Sequence, residues 1–276
     1  MICNICNQKT TEIFSAKLLQ KHIVKYYQCK TCSFIQTEKP YWLNEAYSEA
    51  IADLDVGYVY RNITFSKITS EIIKESFEPT GSFLDYGGGY GMFVRLMRDN
   101  GFKFFREDLY CPNIFSKHFD IEDIPNNQHF ELITSFEVFE HLENPISEIK
   151  KMFNYAESIL FSTDLQPKQN FTSAADWWYF LPETGQHISF YTKKSLEVIA
   201  EQLNCHFYTN NGSLHLLSKK KFKKNPLIIR KYDLIRKILK YRKANPPGLL
   251  QSDFEMLRNN LINPEYTANK INDLLP

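Results

Sequence analysis

Two pairs of cysteines near the start of the chain have the spacing of a metal site. Cys3 and Cys6 form one C-x2-C pair, and Cys29 and Cys32 form a second after 22 intervening residues. Four thiolates in two close pairs are what a closed tetrahedral zinc site requires, so we predict a structural Zn²⁺ ion on these four residues. The alternative is a chance cluster of core cysteines.

A glycine-rich segment, FLDYGGGYGMF, is the second chemical feature. The chain has ten glycines, and Gly87, Gly88, Gly89 and Gly91 fall within five residues. Between a strand and a helix, such a loop brings backbone N–H groups close to a ligand with no Cβ in the way. The spacing is neither the G-x-G-x-x-G of dinucleotide binders nor a P-loop. The alternative is a tight turn without a ligand.

Acidic residues accompany this loop. Asp85 precedes its first glycine by two positions, and Asp108 ends the next predicted strand. A carboxylate at that place can accept both hydroxyls of a ribose. The glycine loop and Asp108 therefore predict the two ends of a nucleotide-type ligand site.

Alternating strands and helices must position these residues. Predicted strands cover residues 81–86, 102–108, 129–136 and 157–163, and predicted helices cover 60–77, 92–100, a segment from near Pro145, and 193–203. This alternation predicts an α/β fold with a mainly parallel sheet covered on both faces. The segment HFYTNNGSLHLLS has an Asn-Gly turn between apolar runs and predicts a hairpin that adds an antiparallel strand at one edge.

Charge is unevenly distributed along the chain. The net charge is +1, yet Lys219–Lys243 holds twelve basic residues and one acid. This block predicts a helix-rich basic face for an anionic partner or a membrane surface, or simply a solvated helix face. The start of the chain lacks a signal-peptide pattern, and no apolar run approaches the roughly 18 residues of a membrane span, so we expect a cytoplasmic protein.

Three segments in order carry a resemblance to a known family. FLDYGGGYG, GFKFFREDLYCPN and FELITSFEVFEHLENP are similar to the first three motifs of the class I S-adenosylmethionine-dependent methyltransferases. The resemblance covers about residues 60–220 and implies a doubly wound, Rossmann-like, mainly parallel seven-stranded sheet. It implies S-adenosylmethionine as the cofactor, with the glycine loop against its methionine part and Asp108 on its ribose.

The resemblance also implies further binding positions. The stretch after the strand predicted at 129–136 faces the cofactor and the acceptor, and adenine rests beside the region Phe119-Asp120. The implied cofactor-binding set is Asp85, Gly87, Gly88, Gly89, Gly91, Asp108, Leu109, Phe119, Asp120, Phe136, Glu137 and His141.

The segment ETGQHISFY is similar to the one that carries the presumed general base in related sugar methyltransferases. It implies His187 as the base. Glu183, four residues earlier, is a candidate to orient it, as a carboxylate beside a histidine often does. His141 competes for the role because it follows the cofactor-facing strand, and either histidine can instead be structural. Four aromatic residues of this region, Trp177–Phe180, stack on the acceptor or fill the core edge. We expect Tyr47 and Tyr58, in the connector from the cysteine pairs, to close over the site.

The cysteine pairs resemble the N-terminal zinc module of sugar C-methyltransferases and their relatives from polysaccharide clusters, without a counterpart of the large C-terminal domain of the C-methyltransferases. We predict a zinc module at residues 1–45, a methyltransferase domain at 46–220 and a basic helical extension at 221–276.

The predicted reaction is O-methylation of a nucleotide-linked sugar or a related capsule or O-antigen precursor. A hydroxyl acceptor needs a general base, whereas a phosphate or phosphoramidate oxygen needs none. Both acceptors remain open, as does sugar C-methylation.

The main rival is methylation of an RNA base, with the basic tail on phosphates. Against it, no [DN]-P-P-[FYW] follows the strand predicted at 129–136, where Ser135–Val138 stands instead. A nucleic-acid-binding or scaffold role on an inactive fold is a third possibility.

Overall fold

The computed structural model describes residues 1–48, 54–124, 129–228 and 245–262. The strands are β1 Thr10–Leu18, β2 His22–Cys29, β3 Ile35–Thr37, β4 Ser82–Tyr86, β5 Lys103–Glu107, β6 Leu132–Ser135, β7 Ser158–Ser162, β8 Ser189–Phe190, β9 His206–Thr209 and β10 Leu214–Ser218. The helices are α1 Leu43–Ala46, α2 Tyr58–Ser76, α3 Met92–Asp99, α4 Pro145–Met152, α5 Lys193–Gln202 and α6 Leu250–Ile262.

The larger sheet has six strands in the order β5-β4-β6-β7-β10-β9. Strands β5, β4, β6 and β7 pair in parallel, whereas β10 is antiparallel to both of its neighbours. The prediction of a mainly parallel α/β sheet is therefore confirmed. The antiparallel strand, however, lies inside the sheet, and the strand at the edge is β9.

The prediction of seven strands is wrong for the part of the chain that the structure describes. Where a further strand would flank β5, the chain makes a single parallel bridge between Arg106 and Asp120. Asp120 then caps a 3-10 turn, in which Asp120 and Asp123 bind each other's backbone N–H groups. The turn carries the chain away from β5 before a second pair of residues can form.

Alternating side chains of the sheet face two separate cores. Phe83 of β4 packs in one core with residues of α2 and α3, such as Ile72 and Met97. Its neighbour Leu84 packs in the other core with residues of α4 and α5, such as Ile149. This is the period of two that a sheet covered on both faces requires.

The predicted hairpin is confirmed by the turn between β9 and β10. The side-chain oxygen of Asn210 accepts the N–H groups of Gly212 and Leu214 at 2.8 and 3.2 Å. Asn211 has a φ of 61°, a left-handed conformation that asparagine tolerates better than most residues. The turn brings Thr209 opposite His215.

The smaller sheet joins the N-terminal segment to a distant part of the chain. Its order is β1-β2-β3-β8, and β8 pairs with β3 through Phe190 opposite Ile35 and Ser189 opposite Gln36. Strand β8 begins two residues after His187. The segment with the candidate base is therefore hydrogen-bonded to the cysteine-containing module.

The C-terminal helix α6 docks on α3. Arg98 donates to both carboxylate oxygens of Asp253, at 2.9 and 2.7 Å, and both side chains are buried. Of the basic block, residues 229–243 lie outside the described residues, so their predicted helix-rich face does too. Lys220 pairs with Glu157 at 3.6 Å. Within the described ranges, no helix combines the length and the apolar character needed to cross a membrane.

Candidate active site

The glycine loop joins β4 to α3 in a conformation that side chains disfavour. Gly87, Gly89 and Gly91 have φ values of 71°, 54° and 83°. Residues with a Cβ enter this left-handed region at a cost of about 1–2 kcal/mol each. The backbone of the loop therefore needs glycine at these three positions.

The space around the loop is filled mostly by the protein itself. A Cβ added to Gly87 would lie 2.6 Å from the Val138 side chain, and one on Gly91 would lie 2.3 Å from the Ser116 hydroxyl. At Gly88 it would lie 2.8 Å from the Asp85 carboxylate. Of these four glycines, Gly89 alone has an open position among the described residues, with the Tyr58 hydroxyl 3.8 Å away. Gly89 is thus the part of the loop that a bound molecule can approach.

Asp108 organises the loop and the turn that follows β5. Its Oδ2 accepts the Gly89 N–H at 2.8 Å, and its Oδ1 accepts the N–H groups of Tyr110 and Cys111 at 2.8 Å each. A carboxylate oxygen accepts up to two hydrogen bonds, so Oδ2 has capacity for a ribose hydroxyl. Leu109 is 81% exposed beside it.

Asp85 lies beneath the loop and is buried. Its Oδ1 accepts the Thr134 hydroxyl at 2.6 Å across β4 and β6. Burial, together with the nearby Asp108 carboxylate, raises the pKa of Asp85 to about 7, against the lowering effects of the Thr134 hydrogen bond and Arg106. Asp85 therefore contacts the underside of the loop rather than the open face at Gly89.

Arg106 is a central residue that the sequence did not reveal. This buried side chain donates to the carbonyl oxygens of Gly89 and Cys111, the latter at 2.9 Å. It also donates to Asp120 at 2.6 Å. Arg106 thus fixes the glycine loop to the turn after β5 and occupies the Asp120 carboxylate, which Asn113 also contacts at 3.0 Å.

Two predicted aromatic positions pack inside the protein. Phe119 is buried, and the Arg98 guanidinium lies 3.6 Å from its ring centroid. Phe136 stacks on Phe65 of α2 with ring centroids 4.3 Å apart and meets Phe93 edge-on. Both side chains therefore pack in or against the core beside β4 and β6.

Glu137 has a strained backbone at the end of β6. Its φ is 57°, a conformation that costs a non-glycine residue about 1–2 kcal/mol. The Ser162 hydroxyl accepts the N–H of Glu137 and donates to its Oε1, each at 2.7 Å. Arg61 of α2 lies 3.3 Å from Oε2. Burial raises the pKa of Glu137.

Glu140, His141 and His187 form a cluster beside these residues. One ring nitrogen of each histidine and one Glu140 carboxylate oxygen lie within 4.8 Å of one another. Glu140 is fully buried, and neither of its oxygens has a hydrogen-bond partner among the described residues. Burial raises the pKa of Glu140 well above its usual value, and the Glu137 carboxylate adds to this. The structure thus brings together His141 and His187, which are 46 positions apart in the chain.

Backbone carbonyls hold the two imidazole rings. His187 Nδ1 donates to the Tyr179 carbonyl at 2.7 Å, since a carbonyl can only accept. His141 Nδ1 lies 3.1 Å from the Gln186 carbonyl and 2.8 Å from the Tyr47 hydroxyl. Glu183, the predicted partner of His187, is exposed, and no hydrogen bond in the described part of the chain joins the two. A four-residue spacing would align them on a helix, but this segment is a turn.

Burial keeps both histidines uncharged near neutral pH. It lowers the pKa of His187 to about 4 and that of His141 to about 3. Both are therefore available as proton acceptors at pH 7, although a low pKa makes each a weak base.

Tyr47 links the two halves of the site. Its hydroxyl contacts His141, and its ring stacks on Tyr110 with centroids 5.9 Å apart. Tyr110 follows Asp108 by two positions. Of the four aromatic residues predicted on the acceptor side, Trp177, Tyr179 and Phe180 are buried in a core, and Trp178 is 68% exposed.

The four cysteines of the two pairs converge at the base of the N-terminal module. Their sulfur atoms lie within 4.8 Å of one another, with separations of 3.6, 3.3 and 3.5 Å for Cys3–Cys32, Cys6–Cys29 and Cys6–Cys32. A tetrahedron of sulfurs about 2.3 Å from a zinc ion has similar edges, whereas a disulfide is about 2.05 Å long. The cluster therefore fits a tetrahedral metal ion.

The comparison with protein families covers the part of the chain that contains the glycine loop and β6. A family model described as "Methyltransferase domain" matches residues 60–209, more than half of the chain. No curated protein matches the sequence.

Solved structures similar to the chain include several methyltransferases. They include the plantazolicin methyltransferase BpumL with a monoazolic desmethylPZN analog and SAH (14% identity, 74% of this chain and 89% of that chain, TM-score 0.45). An O-methyltransferase family protein from Burkholderia thailandensis has 10% identity, coverage of 66% and 68%, and a TM-score of 0.43. Human N-acetylserotonin methyltransferase with SAM has 15% identity, coverage of 65% and 66%, and a TM-score of 0.40. With every TM-score below 0.5, nothing about the acceptor follows from them.

Proposed function

The chain belongs to the methyltransferase domain family and is a class I S-adenosylmethionine-dependent enzyme, and from this premise we propose that it methylates an oxygen of a small acceptor. The acceptor class we propose is a hydroxyl of a nucleotide-linked sugar or of a related capsule or O-antigen precursor. The observation that carries the proposal is the cluster of the buried Glu140 with His141 and His187 beside the end of β6.

The cofactor end of the proposed site is built from backbone and one carboxylate. Gly89 offers the open position of the loop, and Asp108 offers Oδ2 for a ribose hydroxyl. When bound, S-adenosylmethionine supplies a methyl group on a positively charged sulfur. The fixed loop, held by Arg106 from below, supports the alignment on which an in-line displacement depends.

The acceptor end of the proposed site handles a proton. His187 Nδ1 is occupied by the Tyr179 carbonyl, which leaves the lone pair on Nε2. We assign His187 the role of taking the hydroxyl proton, with His141 as the second candidate. Glu183 has no part in orienting His187 here, because the Tyr179 carbonyl does so.

A second candidate acceptor is an oxygen that is already an anion, such as a phosphate or phosphoramidate. The observation that favours it is the low pKa of His187, about 4, which makes the side chain a weak base. An anionic oxygen needs no base at all.

We further propose that Cys3, Cys6, Cys29 and Cys32 hold a structural Zn²⁺ ion. The sulfur separations support this, and the four thiolates leave no open coordination position. The ion would stabilise the module whose sheet includes β8.

The test is a panel of acceptors with methyl-labelled S-adenosylmethionine. Nucleotide-linked sugars, sugar phosphates, phosphoramidates and a transfer-RNA pool would each be incubated with the full chain. We expect label on a nucleotide-linked sugar, located by mass spectrometry on oxygen. Label found only on RNA would overturn the proposed acceptor class, and label on a phosphoramidate would select the second candidate.

A further inference from the structure

Glu140 is a buried carboxylate without a partner in the described part of the chain. It is 0% exposed, and neither Oε1 nor Oε2 accepts a hydrogen bond there. The nearby Tyr179 hydroxyl lowers the pKa of Glu140, against the larger effect of burial, and it also lies 3.3 Å from the Thr163 hydroxyl. Leaving such a group unpaired is costly, so a buried orphan calls for an explanation.

The two histidines beside it are held as metal-binding histidines are held. In most protein metal sites, the ring nitrogen that does not bind the ion donates to a carbonyl or carboxylate. His187 Nδ1 donates to the Tyr179 carbonyl, and His141 Nδ1 lies in reach of the Gln186 carbonyl. With the protons on Nδ1, each ring presents the lone pair of Nε2.

The charges around the cluster favour a cation. The carboxylates of Glu137 and Asp164 lie close enough to raise the pKa of Glu140 by charge repulsion. The nearby cation, Arg61, is already paired with Asp55 at 2.6 Å and with Glu137 at 3.3 Å. Among the described residues, the region thus holds four carboxylates and one guanidinium, that of Arg61. The carboxylates are those of Asp55, Glu137, Glu140 and Asp164.

From these observations we propose that Glu140, His141 and His187 bind a divalent first-row transition-metal ion. Their three ligand atoms lie within 4.8 Å of one another, which a small closure would bring to bonding distance of one ion. Two imidazoles and one carboxylate suit zinc, manganese, iron(II) or cobalt, and three protein ligands leave a coordination position open. This site is separate from the four-cysteine cluster.

The open position is where an acceptor oxygen binds. This part rests on the proposed function. In it, the lone pair of His187 Nε2 binds the ion instead of accepting the hydroxyl proton. A hydroxyl on the ion loses its proton to water more readily. Its electron pair then forms the O–CH₃ bond, and the electron pair of the broken S–CH₃ bond stays on sulfur. The ion thereby removes the need for a strong base.

Manganese(II) is the probe for this site, because thiolates bind it poorly and the cysteines are then not titrated. We would load the full chain with one equivalent of Zn²⁺, which the four thiolates take up, then titrate it with Mn²⁺ and follow the free-ion signal by electron paramagnetic resonance. One bound ion per chain is expected. Glu140→Gln and His187→Gln should each weaken binding by at least about 100-fold, since even outer-shell changes cost 10–100-fold.

The matched control is His206→Gln, an exposed histidine on β9, which should bind Mn²⁺ as the unmodified chain does. Calorimetry with S-adenosylhomocysteine would verify that each variant is folded. The proposal is overturned if the folded, unmodified chain binds no Mn²⁺ at millimolar concentration, or if Glu140→Gln and His187→Gln bind it normally.

The two proposals fail in different ways. A chain that binds Mn²⁺ as expected but methylates no sugar acceptor would refute the proposed function and support the ion site. A chain that methylates a sugar but binds no Mn²⁺ would refute the ion site and leave His187 as the base.

Discussion

The indole N–H of Trp42 donates to the carbonyl of Gly185 at 2.8 Å. Next to it, the Gln186 amide donates to the Ala46 carbonyl at 2.8 Å. Together with the pairing of β3 and β8, these bonds fix the segment before His187 to the N-terminal module. The four-cysteine cluster and the candidate catalytic segment are therefore parts of one structural unit.

The first prediction follows from this unit. Cys32→Ser should remove the bound zinc, lower the melting temperature and reduce turnover at least tenfold, because the segment with His187 loses its support. Affinity for S-adenosylhomocysteine should stay within about twofold, since the glycine loop belongs to the larger sheet. Elemental analysis, circular dichroism and calorimetry measure these quantities.

The control for Cys32→Ser is Cys205→Ser, the same change at a partly buried cysteine outside the cluster. Its metal content should be unchanged. A zinc-free native protein, or normal turnover in zinc-free Cys32→Ser, would contradict the prediction.

The second prediction concerns the cofactor end. Asp108→Ala should weaken binding of S-adenosylhomocysteine by about 10- to 100-fold, because it removes the acceptor for the ribose and for the Gly89 N–H. Calorimetry measures the affinity. The exposed Asp99, which pairs with Arg95, gives the matched control Asp99→Ala, and this variant should bind normally. Equal affinities in the two variants would remove Asp108 from the site.

The third prediction concerns the acceptor end. His187→Gln should lower turnover by about two to four orders of magnitude, whether the ring takes a proton or holds an ion. The affinity for S-adenosylhomocysteine should be unchanged. His141→Gln should have a smaller effect if His187 alone is the base, and a comparable effect if both histidines bind one ion. Near-normal turnover of His187→Gln would point to an acceptor that is already an anion.

The fourth prediction concerns Asp85 and pH. Its pKa is about 7 in the folded protein against an ordinary value of 3.8, so the folded state binds more protons between these values. Stability therefore falls as pH rises toward 7, by up to about 4 kcal/mol in total. Asp85→Asn keeps an acceptor for the Thr134 hydroxyl but cannot ionise.

Asp85→Asn should accordingly be more stable than the unmodified chain at pH 8.5, with the difference shrinking toward pH 6. Melting curves over this range measure it, and Asp99→Asn on the surface serves as the control. A difference that does not change with pH would show that Asp85 does not carry the pH dependence.

The sequence by itself determined the features that depend on local spacing. The alternation of strand and helix segments set the strands β4 to β7, and the Asn-Gly turn between apolar runs set the hairpin, because each pattern is decided within a few neighbouring residues. The glycine cluster indicated a loop without Cβ atoms between a strand and a helix, and the structure puts Gly87, Gly89 and Gly91 in left-handed conformations, which glycine enters at little cost. The C-x2-C spacing of each cysteine pair likewise indicated the four-sulfur cluster.

Only the tertiary structure decided which distant residues meet. Glu183 and His187 are close in the chain but stay apart, because their segment is a turn fixed by Trp42 and the Tyr179 carbonyl. Glu140 and His187 are far apart in the chain but meet, because β8 and the end of β6 converge. Such contacts depend on how sheets and helices stack, and short-range spacing carries no information about that packing.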